Sequence, residues 1–80
     1  MHHYTIMKSE ALKNYASLII FSGNSSIVAQ LSYSVAEHTY IATLPASGTF
    51  ASVKDEHFKL TAAMVGRIVC QPDGTISLSL

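Results

Sequence analysis

Tyr15 to Tyr33, YASLIIFSGNSSIVAQLSY, decides how the chain is read. Two runs of β-branched, aromatic and aliphatic residues flank Gly23-Asn24, the composition of a two-residue primed turn in which glycine takes positive φ without steric cost. Closure there sets Ser22 opposite Ser25. It pairs Phe21 with Ser26, Ile20 with Ile27, Ile19 with Val28, Leu18 with Ala29 and Ala16 with Leu31. One face of the hairpin is then Ala16, Leu18, Ile20, Ile27, Ala29, Leu31 and Tyr33. The other mixes Tyr15, Ile19, Phe21 and Val28 with Ser17, Ser26, Gln30 and Ser32. A slip of one residue would exchange the faces, and the cleaner face is assigned to the core.

Downstream, Ser34-Val35-Ala36-Glu37 is a polar connection, and His38 to Leu44, HTYIATL, alternates again. Tyr40, Ala42 and Leu44 share one face of this third antiparallel strand, which ends at Pro45. Residues 46 to 49 form a loop anchored by Phe50. Residues 53 to 65, VKDEHFKLTAAMV, are read as a helix: Ser52 at the N-cap, Asp55 and Glu56 in the first turn, Gly66 as the stop. A strand reading competes, because Phe58, Leu60, Ala62 and Met64 alternate; the caps favour the helix. The tail, GRIVCQPDGTISLSL, is a second hairpin with two possible registers. A two-residue loop at Asp73-Gly74 sets apolar residues opposite serines. A three-residue loop Pro72-Asp73-Gly74 pairs Cys70 with Ile76 and Ile68 with Leu78, and it is preferred because proline and glycine both take favoured positions. Upstream, residues 3 to 7 suit a short strand and residues 10 to 14 a turn of helix after Ser9.

The fold class that follows is α+β: an antiparallel sheet of about five strands, from two hairpins and strand 38 to 44, with helix 53 to 65 on its cleaner face. A small all-β barrel is the alternative. No repeat or linker divides the 80 residues, which are read as one domain. A chain of this size buries only about 60% of its unfolded surface. Its composition, 49% hydrophobic and 12% charged, leaves apolar surface for a partner. The partner expected first is a second copy, a homo-oligomer with the dimer as the simplest case, meeting through Tyr15, Ile19, Phe21 and Val28. Five basic and five acidic residues give zero formal charge, so nucleic acid is not an expected partner. The N-terminus lacks a secretory pattern and no apolar run is long enough to span a bilayer, so a cytoplasmic location without membrane contact is expected.

The chemistry-bearing residues do not assemble into a motif. His2 and His3 beside the amino terminus offer nitrogen ligands for Cu(II) or Ni(II), against the simpler reading of a solvated terminus. Glu37-His38 and Glu56-His57 each supply one ligand at most, since adjacent residues diverge; no metal and no cofactor are expected. Cys70, the single cysteine, can be placed on paper with His57 and Asp55 or Asp73 as a nucleophile, base and orienting acid. It does not open a helix, and the preferred register makes it a small core residue. The serines alternate along strands without a GxSxG elbow, and the glycines cradle no phosphate. The expected function is therefore a small non-enzymatic binding or regulatory module working through protein contacts. The alternative is a small-ligand site or minor enzyme between sheet and helix, using Tyr40, His57 and Cys70.

Overall fold

The computed structural model describes residues 4–45 and 57–80. Its strands are β1 (Thr5–Ile6), β2 (Ser17–Ser22), β3 (Ser25–Ser34), β4 (Thr39–Thr43), β5 (His57–Leu60), β6 (Val69–Cys70) and β7 (Ile76–Ser79). A 3-10 helix, Ser9–Asn14, precedes β2, and a four-residue helix, α1 (Ala62–Val65), precedes β6.

The central hairpin has the register that its turn dictates: Ser22 faces Ser25, and the pairs run down to Ser17 with Gln30. Gly23, at φ +60°, carries the turn's positive φ at its first central position, the mark of a type II′ turn. β4 continues the meander, placing Leu31 beside Ala42 and Tyr33 beside Tyr40. The second hairpin takes the three-residue loop, with Cys70 facing Ile76 and Gly74 at φ +90°.

The helix expected over residues 53 to 65 does not form across its described part. His57–Leu60 is instead a strand paired with β4, Leu60 beside Tyr40 and Phe58 beside Ala42. The alternation of HFKL decides this: Leu60 and Phe58 turn toward the core, His57 and Lys59 turn out, and Lys59 pairs with Glu37. The strand also covers the edge of β4, which a helix would leave with unpaired backbone groups. Helix survives only at Ala62–Val65, where the Thr61 hydroxyl accepts the Met64 N–H at 3.4 Å. His2, His3, the 46–49 loop, Phe50, Ser52, Asp55, Glu56 and the 53–56 portion of the expected helix lie outside the described residues.

The sheet also differs from the expected five antiparallel strands. It has seven strands in the order β1-β6-β7-β2-β3-β4-β5 and is mixed, because β2 and β7 run parallel with Ile20 beside Leu78. Turn chemistry specifies neighbours joined by a hairpin, whereas this junction pairs residues far apart in the chain and leaves no turn signal. Nor does the sheet close into a barrel. It is nevertheless curled: β5 and β6 stand five places apart, about 24 Å at about 4.8 Å per strand, yet only Thr61–Ile68 connects them. Four of those residues are helical and advance about 1.5 Å each, so a flat sheet would stretch the link to its limit.

The 3-10 helix and α1 lie on the concave side, on the two connections that join parallel-running strands. Leu12, Leu18, Ile20, Ala29, Ala42, Ile68, Ile76 and Leu78 are buried there, with Met7, Leu31, Tyr40, Leu44 and Leu60 around them. A hydrogen bond from the Met7 N–H to the Ile68 carbonyl at 2.7 Å ties the first connection to the second.

Candidate functional site

Alternation along each strand sends every second side chain to the convex side, and the registers fix which of these become neighbours. Ile6 lies beside Val69, Val69 beside Ser77, Ser77 beside Ile19 and Ile19 beside Val28, a single row across β1, β6, β7, β2 and β3. Phe21 stands in the next row between Ser79 and Ser26. Ile6 is 64% exposed, Val28 57% and Phe21 37%. Ser77 is the buried member of the row, its hydroxyl accepting from the Gln71 amide at 2.6 Å. At the margin, the Arg67 guanidinium donates to the Ser79 carbonyl at 2.8 Å, so its charge is held along the backbone rather than over the apolar row.

On the concave side, the curl leaves a groove of about 610 Å³ between the 3-10 helix, α1 and the far ends of β4 and β5. Met7, Leu60, Ala62 and Val65 form apolar walls; Lys8, Lys13, Glu10 and His38 stand at the rim. A second cavity of about 250 Å³ continues toward Leu12 and Leu31, and Lys13, Tyr33 and Tyr40 border both. Tyr40 is only 7% exposed and its hydroxyl has no hydrogen-bond partner. Its ring meets that of Tyr33 in a T-shaped contact, centroids 5.0 Å apart. Burial first, then the neighbouring Tyr33 and Glu10, raises the Tyr40 phenol above its ordinary pKa and keeps it protonated.

The residues expected to act together are distributed over both sides. Ile19, Phe21 and Val28 share the convex face, but Tyr15 enters β2 from the 3-10 helix and packs on the core side, its hydroxyl 3.6 Å from Cys70 Sγ. The hydrogen bond with Cys70, then burial, then the thiol's charge raise the Tyr15 phenol. Tyr40 borders the groove; His57 is on β5, exposed, with Nδ1 3.1 Å from the Thr43 hydroxyl on the convex side. Cys70 is half-buried, four strands from Tyr40 in the sheet order. The structure therefore does not gather Tyr40, His57 and Cys70 into one pocket.

Ile6, Val69, Lys13 and Tyr33 are the residues that sequence reasoning did not place at a site. The alignment of Val69 with Ile19 through Ser77 depends on the parallel pair, which leaves no turn signal. Among the described residues, no three His, Cys, Asp or Glu side chains cluster as metal ligands, and no helix is long and apolar enough to cross a membrane. Comparison with protein-family models, curated proteins and solved structures finds no match to this chain.

Proposed function

We propose that the protein is a small non-enzymatic binding module that associates with a second copy of itself through the convex face of its sheet. The observation that carries this reading is the in-register row Ile6, Val69, Ile19 and Val28, exposed at both ends, with exposed Phe21 beside it and the Gln71 amide bonded to Ser77 within it. Charge favours a second copy as occupant: the chain has zero formal charge and the row contains no ionisable side chain, so two copies approach without net repulsion. The five strands that carry the row span about 20 Å, so a contact burying about 800 Å² per partner takes in the polar margin as well as the apolar row. A two-fold contact would bring each row against its equivalent, with Ser79, Ser26, Gln30 and Ser32 as a polar margin.

The non-enzymatic part of the reading rests on the separation of reactive groups. Cys70 meets a phenol rather than an imidazole, and the Asp73 carboxylate is taken up by the Thr75 N–H at 3.0 Å and hydroxyl at 2.7 Å. Sedimentation at about 100 micromolar tests the association, a concentration at which even a modest apolar contact is populated. The wild type is expected as a dimer, and Val28→Lys, at an exposed position, as a folded monomer. A monomeric wild type, or a Val28→Lys protein of unchanged mass, would overturn the proposal.

A further inference from the structure

A buried hydroxyl without a partner forgoes the hydrogen bonds it made to water, and such groups in native proteins call for an explanation. Tyr40 presents one at the wall between the two concave-side cavities. The groove's volume, about 610 Å³, falls within the usual range for small-molecule sites, and its lining combines apolar Met7, Leu60, Ala62 and Val65 with polar and charged side chains. Among the lysine and glutamate side chains of the rim, two lysines against one glutamate leave a surplus of one positive charge.

We propose that the groove binds a small monocarboxylic acid with an apolar body, the carboxylate accepting the Tyr40 hydroxyl beside Lys8 and Lys13, the body lying against Met7, Leu60 and Val65. The chemistry selects this class on each count. A protonated phenol supplies one donor and seeks an oxygen; the lysines prefer that oxygen charged; a single surplus charge matches a carboxylate better than a phosphate dianion. Glu10, whose charge reaches the Tyr40 phenol, opposes an anion there, so Lys8 and Lys13 together must outweigh it for one carboxylate, and a second negative group is disfavoured. Tyr33, 43% exposed and in edge contact with Tyr40, is the cover: exposed side chains change rotamer in picoseconds to nanoseconds, so its rotation admits the carboxylate. The convex face takes no part, so this site stands or falls independently of self-association.

The test is an NMR titration of the protein with octanoate, with 1-octanol as the uncharged control, joined to melting curves without ligand. Octanoate should shift Tyr40, Met7 and Val65 resonances. Tyr40→Phe should bind it about tenfold more weakly or worse, the effect of losing a hydrogen bond to a charged group. Lys13→Gln, at an exposed position, should weaken octanoate and leave octanol unchanged. Without ligand, Tyr40→Phe should melt no lower than wild type, because no hydrogen bond is lost. Absence of octanoate binding up to about 10 mM would overturn the proposal, a weaker affinity being of little consequence for a specific site. So would shifts confined to Ile6 and Val28, equal affinity of Tyr40→Phe, an equal loss of octanol with Lys13→Gln, or a lower melting temperature of the unliganded Tyr40→Phe protein.

Discussion

His38 holds its backbone at φ 53°, the left-handed region, the one case among the described non-glycine residues. The connection between Ser34 and Thr39 requires it, since the last residue of this four-residue loop must turn the chain into β4. An L-residue pays about 1–2 kcal/mol for that conformation, while glycine adds about 0.4–1 kcal/mol of unfolded-chain entropy. His38→Gly is therefore expected to raise stability by about 0.5–1 kcal/mol in urea denaturation. A loss of stability would show that the imidazole contributes more than the backbone strain. At the same scale, Cys70 was legible as a packing residue from its place between Ile68 and Ile76. The Tyr15 hydroxyl that lies over it was not, because the bend at Ala16 breaks the alternation by which Tyr15 had been assigned to the other face.

The turn of the second hairpin is the element whose chemistry is most open to test. Gly74 lies at φ +90° with open space where a Cβ would stand, so Gly74→Ala isolates the backbone term and should cost about 1–2 kcal/mol. Hydrogen bonds from the Thr75 hydroxyl, then its backbone N–H, hold the Asp73 carboxyl below its ordinary pKa. A depressed folded pKa means that its contribution to stability is present above the unfolded value, near pH 4, and disappears as pH falls through the folded one. Melting curves of wild type and Asp73→Ala should accordingly differ at neutral pH and converge in acid; a constant difference at every pH would show that the side chain acts without its charge. Both hairpins were legible because Gly23-Asn24 and Pro72-Asp73-Gly74 state their own geometry. β5 was misread because the capping pattern around Ser52 and Gly66 was given more weight than the period-2 alternation of Phe58 and Leu60. The edge of β4 that the strand covers is a tertiary fact, and it adds to the alternation of HFKL a reason that the local sequence does not contain.

For the whole molecule, a contact between uncharged apolar rows should be nearly indifferent to salt. The dissociation constant of the proposed dimer is expected to stay the same or fall between about 0.05 and 0.5 M sodium chloride, a range over which the screening length shrinks from about 14 to 4 Å. Weakening with salt, read by sedimentation, would point to an ionic contact elsewhere. The parallel pairing of β2 with β7 has a consequence in time. β7 follows the other described strands along the chain, yet it stands third in the sheet, and within the sheet β6 and then β1 join the rest through it. During synthesis the meander from β2 to β5 emerges first, with one flank of β2 bare and β1 without a neighbour. Unpaired strand edges of this kind invite pairing with other chains. The nascent chain thus passes through an interval of vulnerability that ends when β7 has emerged and paired beside β2, sealing an interior place in the sheet.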